Sequence, residues 1–255
     1  MAGASKIVIV AAHPDDETIG CGGLLRYLPD VTLVVLTDGA PRDLVDARGH
    51  GFSDWESYAK ARACELDAAL EAGECHAEVI RLGIPDQAAA RNLVPIIRQL
   101  AILLQRTKAQ VLLTHAYEGG HPDHDAAAFA AHMAVRSVGG DIALVEMPFY
   151  RLTRDGMVAQ SFTPPCDNAI AVRLSPPDRA RKQRMIAAHA SQQAVLAAFD
   201  TAAEYSRPAP HYDFTELPNQ GRLLYEQHAW GLNGAEWQQE VRIALREHAR
   251  AEAVP

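Results

Sequence analysis

The sequence is poor in the residues that build cysteine-based metal sites and disulfide frameworks. It holds four cysteines in 255 residues, and no two of them are spaced as C-x-x-C. So few thiols in so long a chain predict reduced cysteines and a reducing compartment. No stretch approaches the roughly 18 consecutive apolar residues that a membrane-spanning helix needs. These absences argue against a cysteine zinc site, a disulfide scaffold and a membrane span; the cysteines are Cys21, Cys64, Cys75 and Cys166.

Positive charge is also scarce. The chain has 24 Lys and Arg against 32 Asp and Glu, with a formal net charge of −8, so it lacks the basic footprint of a nucleic-acid-binding protein. The N-terminus runs after Lys6 directly into an apolar segment that is too short for a signal peptide with a cleavage site. We therefore expect a cytoplasmic protein with no nucleic-acid partner and no membrane span.

Apolar strand-like segments alternate with helical patterns through about residue 147. This alternation is typical of βαβ units. It predicts a Rossmann-like, doubly wound α/β fold, with a mostly parallel sheet flanked by helices and an active site at the carboxyl ends of the strands. Pro95 should kink the third predicted helix or mark its true start. The predicted strands are 6–12, 31–37, 78–82, 111–114 and 142–147, and the helices are 18–28, 57–72, 87–106 and 123–138.

The remainder of the chain has weaker patterns. We expect loop and edge strand over 148–177, with 169–174 the best strand candidate, then a helix over 178–199. Residues 202–220 are rich in proline and polar residues and predict a surface loop, and 235–251 predicts a final helix. No repeat or sharp change of composition marks a boundary. We therefore expect one domain over 1–255, with a core at about 5–200 and a C-terminal extension at about 201–255.

The first motif with chemical content is A-H-P-D-D-E-T-I-G-C-G-G, which begins at Ala12. His13 and Asp16 lie three residues apart across a proline turn, where the first strand should end. Imidazole nitrogen and carboxylate oxygen are both normal zinc ligands. The acidic residues that follow His13 repel one another unless a cation is present. An acidic helix N-terminus is the simpler alternative, but it leaves His13 unexplained. The glycines come too late for a dinucleotide fingerprint and favour close packing of the helix.

The second motif is T-H-A-Y-E-G-G-H-P-D-H-D, which begins at Thr114 and follows the fourth strand. His121 and His124 are again separated by Pro-Asp, so two similar turns should face each other across the top of the sheet. A histidine and an aspartate from the first turn and a histidine from the second make three ligands. Three protein ligands leave a position open for water, which is the pattern of a catalytic zinc site. The set predicts metal-activated water that attacks a carbonyl or phosphoryl centre.

The two motifs resemble those of the LmbE-like, or PIG-L, de-N-acetylase family. The resemblance extends to L-T-D-G after the second strand, to Arg62 and Glu65 on a helix, and to L-G-I-P-D, which ends at Asp86. It includes a late helix with Lys182 and H-A-S-Q, so it covers the chain to about residue 195. Members of the family are zinc-dependent enzymes that remove acetyl groups from amino-sugar conjugates.

The resemblance implies roles for single residues. His13, Asp16 and His124 would bind Zn²⁺, although another divalent metal is possible. Asp15 would act as the general base, and His121 would protonate the leaving amine or stabilise the oxyanion. Asp86 resembles a position that contacts the substrate or helps to orient the site. Some members have a tyrosine two residues before the first histidine of H-P-D-H, where this chain has a glycine with Tyr117 nearby.

The resemblance implies a small-molecule amino-sugar conjugate as the substrate. Arg42 and Arg48 lie in the loop after the second strand, and Arg48 is a candidate contact for a substrate phosphate or carboxylate. Three tryptophans, Trp55, Trp230 and Trp237, could form the floor of a sugar site, although packing is the commoner role. A homo-oligomer is possible. The alternatives are a metal-dependent phosphoesterase, which would normally need two metals roughly 4 Å apart, and a non-catalytic module that binds metal or sugar.

Overall fold

Strands and helices alternate along the first part of the computed structural model, which describes residues 5–163, 168–228 and 230–252. The strands are short and rich in β-branched residues, and each helix returns the chain to the start of the next strand. The elements are β1 Ile7–Ala11, α1 Asp16–Leu25, β2 Val31–Thr37, α2 Val45–Gly49, α3 Trp55–Ala72, β3 Ala77–Ile84, α4 Leu93–Thr107, β4 Val111–His115, α5 Pro122–Val138 and β5 Ala143–Met147.

The later elements form the edge of the sheet and the last helices: β6 Tyr150–Thr153, β7 Gly156–Ala159, β8 Ile170–Arg173, α6 Pro176–Ala188, α7 Gln193–Leu196, β9 Ala203–Pro208 and α8 Gly234–Glu252. The main sheet has the order β3-β2-β1-β4-β5-β9-β8. Its first five strands pair in parallel, whereas β9 runs antiparallel to both β5 and β8. This confirms the predicted doubly wound α/β fold with a mostly parallel sheet.

Both faces of the sheet are covered, as a parallel sheet requires. On β1, Val8 and Val10 point into one apolar cluster, which includes residues of α4, α5 and α8. The neighbouring Ile7 and Ile9 point into the other, with residues of α1, α3 and α6. Because Trp237 of α8 is buried in the first cluster, the C-terminal extension shares the core. This supports the proposal that 1–255 is one domain.

Two predictions for the later chain are wrong. Residues 202–220 do not form only a surface loop, since β9 enters the sheet there and its Glu204 accepts hydrogen bonds from Lys182 Nζ and the Gly23 N–H. The helix predicted over 178–199 ends at Ala188. It stops because His189 is buried against α1, where its Nε2 lies 3.6 Å from Glu17 Oε1. In both places a long-range polar contact overrides the local pattern.

Smaller expectations also have clear outcomes. Pro95 lies in the first turn of α4 and so marks the start of that helix. A Cβ atom on Gly20 would lie 2.7 Å from Met147 Sδ, which explains a glycine there by close packing. Cys21, Cys64 and Cys75 are unpaired, whereas Cys166 lies outside the described residues, as do Pro164 and Pro165. Within the described ranges, no helix is both long and apolar enough to cross a bilayer.

Candidate metal centre and active site

The two H-P-D turns meet at the carboxyl ends of β1 and β4. These strands are neighbours in the sheet although they are far apart in the chain, because the strand order reverses between them. A crevice forms at such a reversal, and ligands of doubly wound proteins bind there. The turn after β1 carries His13 and Asp16, and the turn before α5 carries His121 and His124.

The three predicted zinc ligands lie together. The ligand atoms of His13, Asp16 and His124 are all within 4.8 Å of one another. Asp16 lies between the histidines, with Oδ2 3.4 Å from His13 Nδ1 and Oδ1 3.4 Å from His124 Nε2. Its Oδ2 also accepts a hydrogen bond of 2.7 Å from the His13 N–H, which closes the turn. All three side chains are buried.

A fourth residue, His115, supports this group and was missed by the sequence analysis. It is the last residue of β4, its ring stacks on that of His124 at 4.2 Å, and its Nε2 lies 3.4 Å from Asp16 Oδ2. Burial raises the pKa of Asp16, but His124 and His115 outweigh it and hold that pKa well below its usual range. The available signal was a histidine at the second position of the second motif, where the strand ends.

Asp15 differs from its neighbour Asp16 in that it forms an ion pair. Its Oδ2 lies 3.1 Å from Nη2 of the buried Arg62, which also donates to the carbonyl oxygens of Pro14 and Gly39. Its backbone has a φ of 144°, which is rare for a residue with a side chain. Burial raises the pKa of Asp15 to about 7, while Arg62 opposes that rise. This carboxylate therefore faces the cleft as a candidate proton acceptor.

A second group of possible ligands shares His13. It comprises His13, Asp86, His121 and Asp123. His13 Nε2 lies 3.2 Å from Asp86 Oδ1 and 3.3 Å from Asp123 Oδ2. Burial lowers the pKa of His13, but these carboxylates and that of Asp16 outweigh it and raise the pKa well above its usual value. Carboxylates behind a ligating histidine fix its orientation, which is the simpler interpretation of this group.

Asp123, the acidic residue of the second H-P-D turn, is held by backbone groups of another segment. Its Oδ2 accepts a hydrogen bond of 2.7 Å from the Gln87 N–H, and its Oδ1 accepts one of 2.9 Å from the Ala89 N–H. The segment with Asp86 is thus tied to the start of α5. The sequence places Asp123 only in a turn, and its counterpart in the first H-P-D turn, Asp15, gives no sign of this contact.

His121 caps α5 and lines the cleft. Its Nδ1 accepts a hydrogen bond of 3.2 Å from the Asp123 N–H, so the proton of the neutral ring lies on Nε2. Burial and the neighbouring His13 lower the pKa of His121 to about 3, which keeps the ring neutral at pH 7. The ring packs 4.7 Å from that of Trp230. His121 is therefore placed as a neutral hydrogen-bond donor toward the cleft.

The residues present fit a divalent cation. Buried carboxylates destabilise a protein unless cations compensate them, and Arg62 is the one Lys or Arg among the described side chains that line the cleft. His13 Nε2 and Asp86 Oδ1 are buried 3.2 Å apart, yet neither atom forms a hydrogen bond of good geometry. Histidine nitrogen and carboxylate oxygen together suit zinc, whereas oxygen alone would suit magnesium or calcium.

The other predicted contacts have different positions. Asp86 lines the cleft, whereas Arg48 lies exposed on α2 and is not among the lining residues; its contact with substrate stays a prediction. Arg42 pairs with Asp38 at 2.6 Å and covers the ring of Trp55. The Tyr117 hydroxyl donates to the Glu216 carbonyl oxygen and accepts from Trp237 Nε1, so that tyrosine belongs to the core.

Aliphatic and aromatic side chains also line the cleft. We call this set the apolar wall: Ile19, Tyr150, Val195, Leu196, Phe199 and Trp230. The sequence singled out only Trp230 among them. Ile19 lies inside the first motif but carries no metal-binding or acid–base group, and the other four lie outside both H-P-D motifs. The wall places an apolar surface directly beside the cluster of histidines and carboxylates.

Comparisons with known proteins agree with this geometry. The chain is 33% identical over 165 residues to a 1D-myo-inositol 2-acetamido-2-deoxy-α-D-glucopyranoside deacetylase of Catenulispora acidiphila, covering 52% of each chain. A similarly named protein of Corynebacterium urealyticum is 27% identical over 245 residues, covering 75% of this chain and 72% of the relative. The chain thus spans about half the length of most of the curated relatives it matches.

Solved structures show the same fold. The A40926 pseudoaglycone deacetylase has a TM-score of 0.63 at 19% identity, covering 81% of this chain and 97% of that one. An N,N′-diacetylchitobiose deacetylase from Pyrococcus horikoshii has a TM-score of 0.55 at 16% identity, covering 79% and 84%. Identities this low support the fold alone.

Fold and site together define a doubly wound α/β protein with a histidine–aspartate cluster, a candidate metal site, where the strand order reverses. The family model of PIG-L, described as GlcNAc-PI de-N-acetylase, matches residues 8–135. That range holds both H-P-D turns and half of the chain. The chain therefore belongs to the PIG-L family.

Proposed function

We propose that the chain is a zinc-dependent hydrolase that removes an acyl group, most simply acetyl, from the nitrogen of an amino-sugar conjugate. The observation that carries the proposal is the meeting of His13, Asp16 and His124 within 4.8 Å, beside Asp15 and His121 in one cleft. A purely structural metal site needs neither of the last two residues. The family and the activities for which the relatives are named support the same reaction.

In this proposal His13, Asp16 and His124 hold the metal. When bound, a zinc ion at such a site polarises the amide carbonyl and lowers the pKa of water. Asp15 accepts the proton of the attacking water, and its ion pair with Arg62 orients the carboxylate and opposes the rise of its pKa on burial. A base beside the attacking water is the usual arrangement for amide hydrolysis.

His121 supplies the opposite function. Since its Nδ1 is occupied by the Asp123 N–H, the neutral ring can donate only through Nε2. A neutral donor in a buried site stabilises the charge that develops on the carbonyl oxygen. The low pKa of His121 supports this oxyanion role over direct protonation of the leaving amine. Asp86 and Asp123 orient His13 from behind, and Asp86 also borders the cleft, where a substrate could reach it.

A metal-dependent phosphoesterase is the main rival, because the second group around His13 could suggest a second metal. Two observations disfavour it. Both groups use His13, so the two sites cannot each have a separate set of ligands. Arg62, the one described lining cation, is already paired with Asp15, so no side-chain cation of the described cleft is free to bind a phosphate beside the metal. A binding module without catalysis remains the second alternative.

The remaining expectations belong to the same proposal: a small-molecule partner, no nucleic acid, a cytoplasmic location and a possible homo-oligomer. The net charge of −8 supports the absence of nucleic acid. None of these expectations affects the chemistry of the cleft.

The test is a metal-analysed preparation assayed for amine release from N-acetyl amino sugars and for phosphate release from phosphoesters. We expect about one zinc per chain, amine release only, and loss of activity on chelation with recovery when zinc returns. His124→Ala should lose zinc and activity. His76→Ala, at an exposed histidine far from both turns, is the matched control. Full amide hydrolysis by metal-free protein would overturn the proposal.

A further inference from the structure

The apolar wall adjoins the reacting groups. The Tyr150 ring lies 5.3 Å from that of His124, and the Trp230 ring lies 4.7 Å from that of His121. Phe199 extends the wall outward, with its ring 6.2 Å from that of Tyr150. If the amide of a substrate lies at the histidines, the parts of the substrate beyond the amide would therefore lie against these side chains.

One part of the wall is open to solvent. Val195, on the short helix α7, is 55% exposed, although the neighbouring Leu196 is only 3% exposed and anchors the helix. A large apolar side chain exposed at the edge of a cleft, beside other apolar lining residues, marks a surface that a ligand can cover. Covering Val195 and Phe199 would remove apolar area from water, which favours an apolar ligand group.

The charges of the cleft exclude other groups. The described lining carboxylates are Asp15, Asp16, Asp46 and Asp86, and the one described lining cation is Arg62. Arg62 is committed to Asp15 and to two carbonyl oxygens. A phosphate or carboxylate on the aglycone, away from the metal centre, would therefore meet like charge with no side-chain cation free to bind it.

Next to α7, polar partners for a polyol are few. Gln192 is the amide side chain next to α7 that lines the cleft. Its Nε2 already donates 2.8 Å to the Tyr58 hydroxyl and 3.0 Å to the Ser191 carbonyl oxygen. A group rich in hydroxyls would lose hydrogen bonds to water here and gain few in return.

We infer that the substrate carries an uncharged, apolar aglycone, which packs on the apolar wall while the amino sugar lies at the metal centre. The inference rests on the proposed function and names its substrate class. Alkyl or aryl glycosides of N-acetylglucosamine fit this description, whereas inositol glycosides and phosphate-linked sugars do not. The wall residues are then specificity-determining residues outside the matched range 8–135, apart from Ile19.

The experiment compares kcat/KM for methyl, butyl and octyl glycosides of N-acetylglucosamine with that for the inositol and phosphate-linked glycosides. The sugar and the amide stay constant, so only the aglycone changes. We expect kcat/KM to rise about fourfold for each methylene that becomes buried. The inositol and phosphate-linked sugars should fall at or below the methyl glycoside. Equal kcat/KM across the alkyl series, or a preference for inositol or phosphate, would overturn the inference.

Two variants distinguish an effect on aglycone binding from a general loss of folding. Val195→Asp should lower the octyl-to-methyl ratio of kcat/KM by about tenfold or more, since it places a charge where the chain packs. Val172→Asp, the same substitution on the edge strand β8 away from the cleft, should leave the ratio at the wild-type value. Loss of folding would lower both rates together and would not change their ratio. An unchanged ratio in folded Val195→Asp would contradict the inference.

Direct binding distinguishes this inference from the proposed function. Calorimetry with octyl and methyl glycosides of glucosamine measures affinity without any reaction. Tighter binding of the octyl glycoside without hydrolysis of any N-acetyl sugar would support an apolar aglycone on the wall. It would refute the proposed deacetylase activity. Hydrolysis of all the glycosides without dependence on chain length would do the reverse.

Discussion

The two sides of the cleft differ in chemistry and in their place along the chain. The polar side comes from the turns after β1 and β4 and from Asp86, all within residues 8–135, the range that the family model matches. The apolar wall comes mainly from the later chain, with Tyr150, α7 and Trp230. In the proposed function, the polar side performs the reaction and the apolar wall selects the substrate.

The two sides are also held in different ways. On the polar side, backbone N–H groups and ion pairs fix the side chains, as for Asp123 and Arg62. On the wall, the contacts are ring packing and aliphatic burial, as between Tyr150 and Phe199. Directional contacts impose positions, whereas apolar packing tolerates substitution. We therefore expect large effects on the polar side and graded effects on the wall.

The largest effect is expected at Asp16, which lies between the histidines of the metal group. Asp16→Ala removes a proposed ligand and the acceptor for the His13 N–H, so the zinc content and the activity should both fall to background. Elemental analysis and an amine-release assay check this. Excess zinc should restore part of the activity. If Asp16→Ala keeps full zinc, Asp16 is not a ligand.

Asp15 tests the division of labour with its neighbour. Asp15→Asn should keep the zinc, because the change is nearly isosteric and the residue is not a proposed ligand. It should lower kcat by about 10²–10⁴-fold, the usual contribution of general acid–base catalysis. A zinc titration and a rate assay on the same preparation measure both. If Asp15→Asn loses zinc while Asp16→Ala keeps it, the two roles must be exchanged.

Gly120 lies where the two sides meet. A Cβ atom there would lie 2.0 Å from the Tyr150 carbonyl oxygen, so the backbone must move. Gly120→Ala should lower the free energy of unfolding by about 1–3 kcal/mol, as forced overpacking does, and should displace Tyr150 from the cleft. Gly49→Ala, where the added Cβ meets nothing within 4 Å, is the control. Denaturant unfolding of the two variants measures this difference. Equal free energies of unfolding would mean that the close approach of Gly120 to the Tyr150 carbonyl oxygen is relaxed in solution.

Substitution of Trp230 tests the role of the wall in substrate binding and should have a smaller effect. Trp230→Ala removes a ring packed on His121 and His228 and should raise KM about three- to tenfold, the range of aromatic packing energies. The effect on kcat should be smaller than the effect on KM. Steady-state kinetics with an N-acetyl sugar check this. A loss of zinc in this variant would show that Trp230 supports the metal site and not only the binding of substrate.

The smallest effect is expected at Arg48. The sequence made it a candidate for substrate binding, but its side chain is exposed on α2 and does not line the cleft. Arg48→Ala should therefore change KM less than about twofold, as surface substitutions usually do. The same kinetic assay measures it. A tenfold rise in KM would show that substrate reaches beyond the described cleft to this loop.

The sequence was informative where chemistry follows a buried strand. The apolar segments at β1 and β4 predicted parallel strands, and the turns after them predicted ligands at one edge of the sheet. The structure brings those turns together. It also added His115 and Asp123, which no spacing rule indicated, because their partners lie far away in the chain. His115 Nε2, for example, accepts a hydrogen bond from the Ala12 N–H.

By itself, then, the sequence determined the alternation of strands and helices, the doubly wound sheet and the donor types at its edge. These follow from local periodicity and from residues a few positions apart. Only the tertiary structure decided that β9 enters the sheet, that the helix before His189 stops there, and that the apolar wall faces the metal group. Each of these depends on contacts between distant residues, whose pairing has no period or motif in the chain.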